Sequence, residues 1–309
     1  MPSIFKTSML ALLLIAVLGL TAGFVLAPVA GSPADPQKLP LTGVPWLDQI
    51  YYGEEPRGDN NNPVLVFVHG AGGLAEDWWT ETEHYGVNDM YVTAFGAGYR
   101  TAFVDLNDNG TRWPIETIWV NGRTLARQMK AIADHYGVET VDVVSHSKGG
   151  VDAQTAIVYF GAASLVRNVF TLSSPHWGTP IADLAFKTKL GGWLADIIGM
   201  LTPGTFNMTT VYMRFYRFVT DRRTVDDHVN YYWAAGTDWG PKRTALRLSG
   251  RWLDRNFGPN DGVIPVNRAE LPGDNSFQLF VEDFNHDNIN MGSNSFKYID
   301  AIIQSQAGP

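Results

Sequence analysis

The chain has no cysteine, which rules out disulfide staples, thiol catalysis, thiolate metal sites and a lipoprotein anchor, whose cleavage point needs that residue. Charge is scarce as well. Only 17% of the 309 residues are charged and the formal net charge is -8, and an acidic chain without basic clusters is a poor nucleic-acid binder. What is abundant is apolar. With 45% hydrophobic residues, a chain of this length can bury a large core, and it fits a single α/β domain. Ten Trp and twelve Tyr exceed the needs of an average core, leaving two uses for them: core filling and the lining of a concave apolar site.

At the N-terminus Lys6 precedes the apolar stretch Met9 to Leu20, the pattern of an export signal. Apolar character continues to Ala30, long enough for an uncleaved anchor in a bilayer that takes about 20 residues to cross. Residues 1–31 are therefore expected to be a signal peptide or a signal anchor, and the mature protein to be secreted or periplasmic, or held at the membrane. Lys6 is the leader's only charged residue, so its removal makes the chain one unit more negative. Residues 32–40 contain Pro33, Pro36 and Pro40 and read as an extended linker. The domain proper is expected over 41–309.

The runs Val64–Val68, Thr101–Asp105, Val141–Val144 and Val169–Leu172 are too uniformly apolar for a one-sided sheet and suit parallel strands covered on both faces. Between the second and third, Leu125, Met129, Ile132 and Tyr136 recur on one side of a helix, with Asn121 as its expected cap and Gly137 as its stop. Later strands are expected near His228–Trp233 and Phe277–Val281. A last helix over Ser295–Ser305 should turn Phe296, Ile299 and Ile303 inward. Strands alternating with helices imply βαβ crossovers and a mostly parallel, doubly wound sheet of the α/β class.

Within this frame Ser147 ends a β-branched run and has small residues on both sides, Ser145 two before and Gly149 two after. A nucleophile elbow needs that, because a larger side chain at either place collides inside the turn. Phe67–Gly73 is a strand running into a glycine-rich loop, and acyl transfer needs backbone N–H groups aimed at the developing oxyanion. Ala71 and Lys148, the latter directly after the serine, are the expected donors; an ordinary glycine turn is the alternative. A hydroxyl needs a base and the base needs an orienting carboxylate. Asn260-Asp261-Gly262 and Asn285-His286 supply candidates. Taken singly, Asn-Asp-Gly is a good turn sequence and a lone His is most often a core or surface residue. Together, Ser147, Asp261 and His286 stand in the chain order expected of a triad on this fold.

With the segment Pro175-His176-Trp177-Gly178 added, the chain resembles the secreted bacterial lipases of the α/β-hydrolase superfamily. The resemblance implies the α/β-hydrolase fold, with Ser147, Asp261 and His286 as triad, Ala71 and Lys148 as oxyanion donors and His176 as a structural residue. Two positions depart from the family pattern. Ser145 stands where Gly is usual, and Lys148 where Met or Gln is common, so its charged side chain must point away or find a carboxylate. The resemblance also implies a structural calcium near the base loop, with Asp287 as one ligand, and a helical lid or cap over about 181–219. That stretch carries Leu184, Phe186, Trp193, Ile197, Phe206, Phe215 and Phe218, and its pattern predicts two amphipathic helices broken at Pro203-Gly204; completing the core is the other use for them. The expected function is a lipase-like serine carboxylester hydrolase working at apolar esters, with a lipid–water interface as its surroundings. A short-chain esterase, a polyester depolymerase and an acyltransferase are alternatives on the same site, and a non-catalytic hydrolase-fold binding protein is the competing class. No cofactor is expected for catalysis and no protein partner is evident.

Overall fold

Valine-rich runs become strands here because β-branched side chains pack well on a pleated surface, and runs apolar on both faces must be covered on both. The computed structural model describes residues 32–58, 61–107, 115–187, 201–242 and 244–307. The expected leader, 1–31, and part of the expected lid, 188–200, lie outside the described residues. The strands are β1 (Gln37–Lys38), β2 (Ile50–Tyr52), β3 (Val64–Val68), β4 (Glu81–Thr82), β5 (Gly86–Val87), β6 (Thr101–Val104), β7 (Val141–His146), β8 (Val166–Leu172), β9 (Asn230–Gly236) and β10 (Ser276–Glu282). The helices are α1 (Met90–Gly96), α2 (Ile118–Tyr136), α3 (Lys148–Tyr159), α4 (Pro180–Lys187), α5 (Pro203–Asn207), α6 (Thr210–Thr220), α7 (Ala245–Phe257), α8 (Val266–Ala269) and α9 (Gly292–Gln306).

Eight strands form one sheet in the order β1-β2-β6-β3-β7-β8-β9-β10. The six from β6 to β10 in that order are parallel, and β1 and β2 close one edge in antiparallel pairing. Two residues of the stretch 32–40 thus join the sheet. Alternate residues of each strand face opposite sides. Val64, Val66, Val141 and Val143 pack with Leu125, Met129 and Ile132 of α2 and with Ala153 and Ile157 of α3. Leu65, Phe67, Phe103 and Val144 pack instead with Met90 and Tyr91 of α1 and with Phe296, Ile299 and Ile303 of α9. The result is a three-layer α/β-hydrolase architecture with helices on both faces of a mostly parallel sheet.

Three local expectations are corrected. The cap of α2 is Thr117, whose hydroxyl accepts the Val120 N–H at 3.2 Å. Asn121 lies inside the helix, fully buried, because its amide is taken up by polar partners in the interior. Pro203 does not break a helix but opens α5 at its first turn, where its missing N–H is harmless and its fixed φ fits. The strand near His228 begins at Asn230 and runs on to Gly236. Many aromatics serve the core, since Trp78, Tyr99, Tyr216 and Tyr231 are among the largest fully buried side chains.

A cavity of about 720 Å³ bordered by Asp221, Asp226 and Asn275 opens beside the starts of β9 and β10. It contains none of the candidate site residues, which gather at the carboxyl ends of the strands.

Phe103 is fully buried, stacked on Phe67 at 4.8 Å and edged by Trp79 and Tyr91 at 5.0 and 5.4 Å. Phe103→Ala should therefore lower stability by about 3–5 kcal/mol. Urea denaturation measures this, and a loss under about 1 kcal/mol would contradict the packing described.

Candidate active site

Parallel strands bring their carboxyl ends to one edge of the sheet, and ligand sites of open α/β folds form there. β3 delivers the loop from His69, β7 delivers Ser147, and the loop after β10 delivers His286. Asp261 arrives from the long excursion between β9 and β10. It folds back so closely that a Cβ on Gly236 would meet the Phe284 carbonyl and stand 3.1 Å from Asp261 Cβ.

Ser147 has φ 52° and ψ -130°, a strained conformation for a residue with a side chain. The residues around it are small because main chain is packed against main chain. A Cβ on Gly149 would strike the His69 carbonyl oxygen, and one on Gly70 would stand 3.0 Å from Ser147 Cβ. Ser145 fits where the family has glycine, since it lies within β7, fully buried, and its hydroxyl donates to the Phe170 carbonyl at 3.1 Å.

The three candidates of the sequence meet. Ser147 Oγ lies 3.0 Å from His286 Nε2, and His286 Nδ1 lies 2.7 Å from Asp261 Oδ2. A carboxylate only accepts, so Nδ1 carries the proton and Nε2 is free to take the serine's. Asp261 is fully buried, and its other oxygen accepts the N–H groups of Val263 at 2.9 Å and Ile264 at 2.6 Å. Burial opposes its charge, but the adjacent imidazole and these hydrogen bonds outweigh burial and hold its pKa below the ordinary carboxylate value. Burial likewise disfavours the imidazolium of His286. The Asp261 charge and the hydrogen bond to it prevail, so the His286 pKa stands above 6.5.

Ala71 sits in the turn after β3, and Lys148 is the first residue of α3. The N–H groups of a helix's first turn have no intrahelical acceptor, which suits Lys148 to an incoming oxyanion. The loop is steadied by His69. Its Nε2 accepts the Leu106 N–H at 3.0 Å, so its Nδ1 is the donor to the Gly70 carbonyl at 2.7 Å. The Lys148 side chain finds a carboxylate, as its position demands. Its Nζ lies 2.9 and 3.1 Å from the Asp152 oxygens, both groups are buried, and Asn121 of α2 donates to Asp152 at 3.2 Å.

His146 was missed in the sequence although it adjoins Ser147, and Asn285 was named there only as the neighbour of His286. His146 Nε2 donates to the His286 carbonyl at 2.9 Å, tying elbow to base loop. Burial, then the nearby His286, push its pKa down to about 3, so it stays neutral 4.7 Å from the base, ring centre to ring centre. Asn285 folds the base loop by accepting the N–H groups of Asp287 and Asn288 and donating to the Tyr85 hydroxyl. His176 is buried, its Nε2 3.2 Å from Thr171 Oγ1, and no bond joins it to Ser147. Around Asp287, as elsewhere among the described residues, no three His, Cys, Asp or Glu side chains gather to hold a metal ion.

Geometry of this kind is the arrangement a serine hydrolase needs on an α/β-hydrolase fold. Comparison with known proteins bears on the family. A model of the PGAP1-like alpha/beta domain matches residues 60–191. The mature form of the Bacillus licheniformis lipase BlEst2 is 32% identical over 82% of this chain and 97% of its own, with a TM-score of 0.73. A metagenomic carboxyl esterase (20% identity, 97% of this chain and 91% of its own, TM-score 0.58) and the Staphylococcus hyicus lipase (13%, 82% and 97%, TM-score 0.58) share the fold. The chain belongs to the lipase/esterase family of the α/β-hydrolase superfamily.

Removing one member of a buried ion pair strands the other. Asp152→Ala should lower stability by about 3–5 kcal/mol, whereas Lys148→Met combined with Asp152→Leu should recover most of it. Denaturant titration of both variants checks this, and equal losses would show that the pair is not the unit that matters.

Proposed function

We propose that this protein is a serine carboxylester hydrolase, lipase-like in its preference for apolar esters. The observation that carries the reading is the unbroken line from Ser147 Oγ through His286 to Asp261, at 3.0 and 2.7 Å, beginning on a strained elbow. In this mechanism Ser147 attacks the ester carbonyl while its proton passes to His286 Nε2. Asp261 holds the imidazole in the required tautomer and stabilises the imidazolium. The oxyanion settles against the N–H groups of Ala71 and Lys148, where a single donor is worth about 3–4 kcal/mol. His286 then gives its proton to the leaving alcohol, and water releases the acyl group by the same route in reverse.

The preference for apolar substrates is supported by the region expected as lid. On α6, Val211, Phe215 and Phe218 recur at i, i+4 and i+7 and are 63%, 64% and 60% exposed. Phe206 of α5, also exposed, packs edge-on against Phe186 and Tyr212. Apolar surface of this kind suits an acyl chain or a lipid–water interface. Export by the leader at 1–31 fits that setting, and among the described residues no helix is long and apolar enough to cross a membrane.

A p-nitrophenyl ester series from acetyl to palmitoyl tests the reading. Activity should rise toward the longer chains and fall at least about 1,000-fold in Ser147→Ala. Activity confined to acetyl and butyryl esters would make it a short-chain esterase, and full activity in Ser147→Ala would remove the mechanism. The base must be neutral to take a proton, and its pKa is raised. Thus kcat/KM should rise with pH through a midpoint above 6.5 and be lost on the acid side. A flat profile from pH 5 to 8, the range in which imidazoles titrate, would count against His286.

A further inference from the structure

Among the described residues, the non-glycine positions with positive φ are Ser147, at 52°, and Ser173, at 50°. They are neighbours in space. In the register of β7 and β8 His146 pairs with Leu172, so each serine stands one residue beyond the end of its strand. Each also donates its N–H to the next strand at 2.9 Å, Ser147 to the Leu172 carbonyl and Ser173 to the Ala234 carbonyl. The strain at Ser147 presents a nucleophile. The strain at Ser173 has no part in the mechanism above, and a glycine would take the same conformation without it. A side chain kept in such a place points to a use for the side chain.

That use is indicated by what Ser173 faces. Its hydroxyl is buried, 1% exposed, and has no hydrogen-bond partner among the described residues. Asp261 lies across the end of β9, against Gly236. A carboxylate offers about four acceptor positions, and Asp261 fills three of them with Val263, Ile264 and His286. We propose that Ser173 is a positioning residue for Asp261: its hydroxyl donates to the remaining acceptor position and holds the carboxylate in place while His286 carries the serine's proton. The Ser173 hydroxyl is also one of the groups that lower the Asp261 pKa, after the His286 charge and the hydrogen bonds from His286 and Ile264. This inference rests on the roles assigned above to Ser147, Asp261 and His286.

Two substitutions separate hydroxyl from backbone. Ser173→Ala keeps the strain and loses the oxygen, and Ser173→Gly loses both. Both should lower kcat on p-nitrophenyl butyrate about tenfold, the worth of one hydrogen bond to a charged group, with KM unchanged. The acid limb of the pH profile should move up, because a carboxylate relieved of a donor pulls harder on the imidazole proton. Ser173→Gly should unfold at the wild-type temperature or above it. Wild-type kcat and pH profile in Ser173→Ala would overturn the proposal. So would a loss in Ser173→Ala that Ser173→Gly restores, since the effect would then belong to the backbone. Ser147→Ala, run alongside, separates the two levels: if it stays active the triad reading fails, and if it is inactive while both Ser173 variants match wild type only this inference fails.

Discussion

Main chain packed directly against main chain at the carboxyl ends of β3, β7 and β8 is the constraint on which this site depends. Ser147 holds its strained backbone because the His69 loop, the start of α3 and the Leu172 carbonyl enclose it. A Cβ at Gly149 or Gly70 would push two of those segments away. Strain on the order of 1–3 kcal/mol is easily held by a sheet buried on both faces. The same closeness sets the Ser147 hydroxyl beside the imidazole and the first N–H of α3 beside the glycine-rich loop.

Electrostatics in so dry a place turns on hydrogen-bond partners that fix which ring nitrogen of each histidine donates. His69 donates through Nδ1 because Leu106 occupies its other nitrogen. His146 donates through Nε2 to a carbonyl and is kept neutral by burial. His286 is hydrogen-bonded to a carboxylate, and against the cost of burial that charge raises its pKa. Burial thus keeps His146 neutral beside a His286 whose charge Asp261 favours. The Lys148 ammonium would disturb this balance if it were free, and its pairing with Asp152 one turn along α3 returns the net charge there to zero.

The apolar rim answers a different physical demand. Phenylalanines on the exposed face of α6 gain nothing from water, and Phe206 and Phe186 extend that surface toward α4 and α5. Apolar ester chains are poorly solvated by water, and an apolar protein surface lowers the free energy of their transfer out of it.

Local pattern was enough for the strands at Val64, Thr101, Val141 and Val169, for the inward side of α9, and for picking out Ser147, His286 and Asp261 as residues that meet in the fold, because an elbow and a proposed triad need particular residue types in a particular order. Cap and turn positions were less legible. Thr117 and Asn121 are both good caps by type, and only the polar interior into which Asn121 points decides between them. Pro203 reads as a break until Thr202 is seen capping the helix it opens. Ser173, Asn285 and the Asp152 partner of Lys148 could be settled only by the tertiary structure. Their parts depend on which carboxylate, hydroxyl or carbonyl lies within about 3 Å, and distances between segments far apart in the chain are set by packing the whole sheet, not by the residues on either side.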